Sequence, residues 1–223
     1  MRGLITALPD VTGKSHIVAP SSMYPFLLAA AAVENPLLII TSSSRSAEDL
    51  VNELRELHSN VMEFPAWETL PHERLSPRSD TVARRIATLY SLQSAQSANP
   101  IVVTPVRGAI HRIIGDLGQS NLMKLEIGKE QSLDLLVRHL SSLAYARTDL
   151  VERRGEFAVR GGIIDLFLPL SAHPIRIDFF GDEIEDISYF EVADQRTFAP
   201  VIGSIEIFPC REFLITPTIR ARA

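Results

Sequence analysis

The sequence predicts an α/β protein in which a parallel-sheet domain is followed by a small α+β domain with an antiparallel sheet. In residues 1–120 short apolar strand patterns alternate with helical patterns, which implies crossover connections and parallel strands. After residue 121 one helix pattern precedes several strand patterns joined by glycine-containing turns, which is typical of antiparallel pairing. The charge changes at the same place: residues 1–120 have 10 basic and 11 acidic side chains, and residues 121–209 have 9 and 15.

The elements of the first module follow from hydrophobic periodicity and from helix-start signals. Apolar runs predict strands at 16–19, 37–40, 61–64 and 101–103. Four helices are predicted. The first covers 26–34, and the second starts at a capping box formed by Ser46 and Asp49. The other two run through Val82 to Tyr90 and through Ala109 to Ile113.

The second module, residues 121–209, opens with a helix whose apolar stripe runs from Leu133 to Leu143. Strands are predicted at 156–160, 163–168, 175–180 and 184–190, with tight turns at 161–162 and 181–182. The domain boundary is therefore expected near residue 120, and residues 210–223 are expected to begin a further segment.

The composition of the chain excludes several classes of protein. The 223 residues have a net charge of −5, with 46% hydrophobic and 22% charged residues, which is typical of a globular protein and not of a disordered one. The single cysteine, Cys210, excludes an internal disulfide framework and a cysteine-rich zinc site. Because no apolar stretch approaches the ~20 residues needed to cross a bilayer, and no signal peptide is visible, a cytoplasmic protein is expected.

No catalytic, metal or cofactor site is predicted. The tripeptide Gly13-Lys14-Ser15 has the ending of a Walker A motif, but Leu8 stands where that motif needs its first glycine. The tripeptide also precedes the predicted strand at 16–19, whereas a phosphate loop follows its strand and opens a helix. The expected fold is thus that of an ATPase with an empty site, and a vestigial domain that still binds a nucleotide is the alternative.

One basic cluster is visible, formed by Arg74, Arg78, Arg84 and Arg85. Arginines in such a group can contact DNA phosphates. The alternative is a solvated helix face, since Glu73 and Asp80 lie among them.

Strand parity selects three residues as a candidate protein-binding site. Side chains alternate between the two faces of a strand, so Ile175, Ile177 and Phe179 are expected in the core, and the side chains between them point the other way. This places Arg176 and Phe180 on the outward face, and Arg160 points outward by the same rule. Arginine together with an aromatic residue is the usual composition of a binding hot spot. Two alternatives remain: coverage of Phe180 by the module's own helix, and a simple surface ion pair between Arg176 and Asp178.

Two stretches resemble the bacterial transcription-repair coupling factors, the Mfd family. The first is LPHERLSP at 70–77, with the sequence that runs on to residue 90. The second is RGEFAVRGGIIDLF at 154–167 with RIDFFGDEI at 176–184 and DQRT at 194–197, and it is similar to the module that this family shares with UvrB.

The resemblance implies that residues 1–120 form a UvrB-like domain 1a, a degenerate RecA-like fold that has lost its Walker A loop. It implies that residues 121–209 form domain 2, which binds the excision-repair protein UvrA, and that residues 210–223 begin domain 1b. The family's UvrA contacts fall on Arg160, Arg176 and Phe180. RNA polymerase, double-stranded DNA, ATP and magnesium belong to further domains of the family, so this chain is expected to be a non-catalytic recruitment module.

Overall fold

The computed structural model describes residues 16–69, 73, 76–93, 99–113 and 122–212. The chain divides into two compact units, one comprising Met1–Trp67 and Thr88–Ile113 and the other Glu68–Ala87 and Ile114–Ala223. The mixed α/β class is confirmed, with parallel pairing in a three-stranded sheet and mainly antiparallel pairing in a six-stranded and a two-stranded sheet. The RecA-like description of the first module stays a prediction.

The first unit contains a three-stranded parallel sheet in the order β1-β3-β2. Its elements in chain order are a 3-10 helix at Ser21–Met23, α1 (Tyr24–Ala31), β1 (Leu37–Thr41), α2 (Ser44–Arg55), β2 (Val61–Glu63), part of α3 (Ser79–Gln93), β3 (Ile101–Pro105) and α4 (Val106–Ile110). The central strand is buried along its whole length, as expected for a parallel strand between two neighbours. The strand predictions at 37–40, 61–64 and 101–103 are confirmed.

Helix α2 shows why this unit folds as it does. Ala47, Val51 and Leu54 recur at helical spacing, are almost fully buried, and pack in one cluster with Ile101 and Val103 of the central strand. This one-sided burial is the pattern that the sequence predicts for an amphipathic helix on a sheet.

The prediction of a strand at 16–19 is wrong. These residues have no regular secondary structure, and the chain passes through Pro20 into the 3-10 helix. Val18 is 83% exposed, so the apolar run buries too little surface to be held as a strand.

Two helix ends also differ from the prediction. The cap of α2 is Ser43, three residues before the predicted Ser46, because Ser43 has extended backbone and its Oγ accepts a hydrogen bond from the Ser46 N–H at 3.1 Å. Helix α4 ends at Ile110 and not at Ile113, because the backbone of His111 is extended.

The second unit contains a six-stranded sheet in the order β10-β9-β8-β7-β6-β5, in which only the β5–β6 pair is parallel. Its elements are β4 (Met123–Leu125), α5 (Leu133–Ser142), β5 (Ala146–Arg147), β6 (Glu156–Arg160), β7 (Ile163–Leu166), β8 (Ile175–Phe180), β9 (Glu183–Phe190), β10 (Thr197–Pro200) and β11 (Ile205–Ile207). The four predicted strands are confirmed to within two residues at their ends. The short strands β4, β5, β10 and β11 have no counterpart in the prediction.

One face of this sheet carries the main core of the unit. Leu136 and Leu140 of α5 pack there with Phe157, Ile164 and Ile177, all essentially without solvent exposure. Helix α5 therefore covers the inner face of the sheet, and the opposite face is available for other contacts.

The division into units assigns Glu68–Ala87 to the same unit as the six-stranded sheet. Within that unit Ser79 Oγ donates a hydrogen bond to the Arg154 carbonyl oxygen, and Arg85 forms an ion pair with Glu212. The predicted boundary near residue 120 and the segment beginning at residue 210 stay predictions.

Candidate protein-binding face of the six-stranded sheet

The face of the sheet opposite α5, called the outer face below, is defined by two rows of cross-strand neighbours. The first row crosses β6 to β9 and consists of Ala158, Asp165, Arg176 and Ser188; the second consists of Arg160, Ile163, Asp178 and Asp186. Phe180 lies two residues after Asp178 on β8, opposite Glu183. The outward direction that strand parity predicts for Arg160, Arg176 and Phe180 is therefore confirmed.

The outer face is covered at one end and open at the other. Ala158 packs in a small buried cluster with Val151, Phe167 and Phe190, so the outer face has a second, minor core that the sequence analysis did not predict. Arg160 and Phe180 lie at the end where the β6–β7 and β8–β9 hairpins turn.

Phe180 is exposed over 78% of its surface. It ends β8, and the next residue, Gly181, turns the chain with φ +64°, a conformation that strongly favours glycine. Because α5 packs on the inner face, the alternative that the module's own helix covers Phe180 is wrong. An exposed phenylalanine contributes nothing to the core, which makes it available to a partner.

Arg160 is exposed at the end of β6, and one of its guanidinium N–H groups donates a 2.8 Å hydrogen bond to the Asp149 carbonyl oxygen. This bond orients the side chain and uses one of its five N–H donors.

Arg176 differs from the other two residues, because its side chain is only 19% exposed. Its Nε and Nη2 atoms donate to the two carboxylate oxygens of Asp165 at 2.7 and 2.9 Å, and its Nη1 donates to the Gln195 carbonyl oxygen at 3.2 Å. The guanidinium also lies 5.1 Å from the centre of the Phe190 ring. The alternative of an Arg176–Asp178 ion pair is wrong in its partner: the paired residue is Asp165, which the sequence analysis missed.

The hydrogen bonds to Asp165 raise the pKa of Arg176 above its ordinary value. Asp165 is 1% exposed, so it depends on this arginine for compensation of its charge. Arg176 thus organises the centre of the outer face in addition to any contact with a partner.

Asp178 and Asp186 lie directly opposite each other in the second row. Burial, followed by the charge of Asp186, raises the pKa of Asp178 above its ordinary value. Ser188 Oγ donates a 2.5 Å hydrogen bond to Asp186. The open end of the outer face is therefore acidic apart from Arg160.

The predicted basic cluster is not a continuous surface. Arg85 is fully buried and its Nε donates to Glu212 Oε2 at 2.9 Å, so its proposed role in contacting DNA is wrong. Arg78 is exposed and pairs with Asp80 at 3.3 Å, and Arg84 is half-buried. Arg74 lies outside the described residues, as does Gly13-Lys14-Ser15.

The described part of the chain contains no group of three or more His, Cys, Asp or Glu side chains placed to hold a metal ion. It also contains no helix that is long and apolar enough to span a membrane.

Several known proteins are similar to this chain. Residues 123–213 match the family described as the UvrB interaction domain. Transcription-repair-coupling factors are among the similar proteins: that of Mycobacterium tuberculosis is 44% identical over 93% of this chain, that of Escherichia coli 34% over 83%, and that of Bacillus subtilis 32% over 97%. The matched region is 17%, 16% and 18% of those relatives, so the chain spans about a sixth of their length.

Proposed function

The chain belongs to the N-terminal region of the transcription-repair coupling factors, and we propose that it recruits UvrA through the outer face of its six-stranded sheet. The observation that supports this most is the coincidence of two facts. The residues that match the UvrB interaction domain contain the whole sheet, and its outer face exposes Phe180 and Arg160 at one end.

In the proposed mechanism Phe180 enters an apolar pocket of UvrA. Transfer of an exposed aromatic ring from water into a fitted pocket is the main source of energy in many protein interfaces. Arg160 pairs with a carboxylate or carbonyl group of UvrA, and its bond to the Asp149 carbonyl oxygen limits the side-chain entropy lost on binding.

Arg176 has two roles in this proposal. Its first role is structural: it compensates the negative charge of the buried Asp165 and holds the segment around Gln195 in place. Its second role is to direct its remaining N–H donors toward the partner. A variant of Arg176 would consequently lose stability as well as affinity, which makes it a poorer test of the interface than Arg160 or Phe180.

The chain would act without catalysis and without a cofactor, in the cytoplasm. It would link a stalled RNA polymerase to excision repair, while contacts with the polymerase and ATP-driven movement on double-stranded DNA would belong to further domains of the full-length factor.

The test is the affinity of the purified chain for purified UvrA. Phe180→Ala is expected to lose about 2 kcal/mol of binding energy, roughly a 30-fold rise in Kd, because it removes a central hot-spot side chain. Arg160→Ala is expected to weaken binding about tenfold.

Phe198→Ala is the matched control, since Phe198 is also an exposed aromatic residue of this sheet but contacts Tyr189 and His173. It should bind like the parent chain. If Phe180→Ala and Arg160→Ala remain folded and also bind like the parent, the outer face is not the UvrA site.

A further inference from the structure

The edge of the six-stranded sheet next to Arg160 contains an open pocket of about 550 Å³. It is lined by Arg147, Thr148, Asp149, Val159 and Arg160. The pocket thus lies where β5 ends and the neighbouring strand β6 continues.

Strand β6 pairs with β7 along one edge, and its other edge, toward β5, faces this pocket. Ala146 N–H donates to the Gly155 carbonyl oxygen at 2.8 Å, and Thr148 N–H donates to the Phe157 carbonyl oxygen at 2.9 Å. Because alternate residues of a strand present their N–H and C=O groups to the same edge, those of Val159 face this edge too. Strand β5 has ended by then, and no backbone partner for Val159 on this side is found among the described residues. An unpaired edge of this kind accepts an added strand.

The charge of the pocket selects the partner segment. Arg147 and Arg160 contribute two guanidinium groups and Asp149 one carboxylate, so the lining is net positive. Residues 121–209 as a whole have a net charge of −6. An acidic segment would be repelled by most of the module and attracted at this place.

We propose that this pocket is a second contact point for UvrA, and that it takes an extended segment carrying an acidic side chain. The backbone of that segment pairs with Val159, and its carboxylate lies between Arg147 and Arg160. This inference rests on the proposed function and adds Arg147 as a residue that determines which partner segment is accepted.

Two substitutions of Arg147 test the charge requirement against purified UvrA. Arg147→Ala is expected to raise Kd about tenfold, and Arg147→Glu about 100-fold, because the reversal places a second carboxylate in the pocket beside Asp149. Arg138→Ala is the matched control, since Arg138 is an exposed arginine of α5 that does not line the pocket, and it should bind like the parent.

Amide hydrogen exchange tests the backbone requirement in the same complex. The Val159 amide is expected to exchange at least tenfold more slowly when UvrA is bound, because its N–H then donates to the partner strand. Binding to UvrA without slower exchange at Val159 would contradict the strand pairing.

The two proposals fail in different ways. If Phe180→Ala and Arg160→Ala weaken binding but both Arg147 variants bind like the parent, the pocket is not a contact and the outer face remains the site. If the Arg147 variants lose affinity for duplex DNA and keep their affinity for UvrA, the pocket recognises phosphate and this inference is wrong. If the parent chain does not bind UvrA, the proposed function itself fails.

Discussion

Asp178 is an outer-face residue whose negative charge is disfavoured by its surroundings. It is partly buried and lies opposite Asp186, and both effects raise its pKa, while the nearby Arg176 only partly offsets them. A carboxyl group with a raised pKa binds its proton more tightly in the folded chain than in the unfolded chain. Its ionisation therefore lowers the free energy of unfolding as the pH rises above about 3.8, the ordinary pKa of this group.

Replacement of Asp178 by asparagine should remove this penalty. We expect Asp178→Asn to raise Tm at pH 7 and to have little effect near pH 3, where the carboxyl group is protonated in both states. Thermal unfolding followed by circular dichroism at both pH values measures the difference. Asp182→Asn, in the exposed turn after β8, is the control for loss of one carboxylate and should leave Tm at pH 7 unchanged. A lower Tm for Asp178→Asn at pH 7 would contradict the explanation.

Single residues also show which features of the site can be predicted from the sequence alone. The outward direction of Arg160 and Phe180 depends only on alternation along one strand, and it could be predicted. The pairing of Arg176 with Asp165 depends on the register between β7 and β8, because the two residues are 11 positions apart and become neighbours only when the strands align. No local pattern contains that information.

At the level of helices and strands, the start of α2 is set by a side chain that the sequence does not single out. Two serines, Ser42 and Ser43, precede the helix, and Ser43 acts as the cap because its backbone is extended while the helix begins at Ser44. Its Oγ contacts both the N–H and the Oγ of Ser46, at 3.1 and 2.8 Å.

We expect Ser43→Ala to reduce the free energy of unfolding by about 1 kcal/mol, because an N–H group at the helix start then lacks its protein partner. Urea unfolding of the chain measures this loss. Ser44→Ala is the matched control, since Ser44 is an exposed first residue of the same helix, and it should be close to neutral. Equal losses for the two variants would show that Ser43 is not the cap.

The elements that could be predicted are the long, strongly patterned ones. Helices α2 and α5 and strands β6 to β9 have clear periodicity and bury one face. Strands β4 and β11 have three residues each and exist because they pair with each other, Ile205 opposite Leu125, across a large sequence separation. Such short pairs carry too few residues for a period to be recognised.

On the scale of the whole chain, a buried ion pair inside the second unit joins two residues that are far apart in the sequence. Arg85 and Glu212 are 127 residues apart, and their side chains are 0% and 1% exposed. Arg85 is predicted from the sequence as a surface residue, because its neighbours are charged and nothing local indicates a partner so distant. Burial of a charge is tolerated only with a compensating partner, and Glu212 supplies it.

Loss of one member of the Arg85–Glu212 pair should lower the free energy of unfolding strongly, while loss of both members should lower it less. We expect Arg85→Met to lower the free energy of unfolding by about 3 kcal/mol, because it breaks a buried ion pair by removing one of its two members. The double variant Arg85→Met with Glu212→Leu should recover most of that loss, since neither charge then remains. Urea unfolding of the three chains measures the coupling; additive losses would contradict a direct ion pair.

The central claim is that this chain recruits UvrA through the outer face of its six-stranded sheet. The measurement that tests it most directly is isothermal titration of UvrA with the parent chain, Phe180→Ala and Phe198→Ala. Recruitment through the outer face predicts that Phe180→Ala alone loses affinity, by roughly 30-fold, at an unchanged Tm. Equal affinity of all three folded chains, or a loss confined to Phe198→Ala, would contradict it.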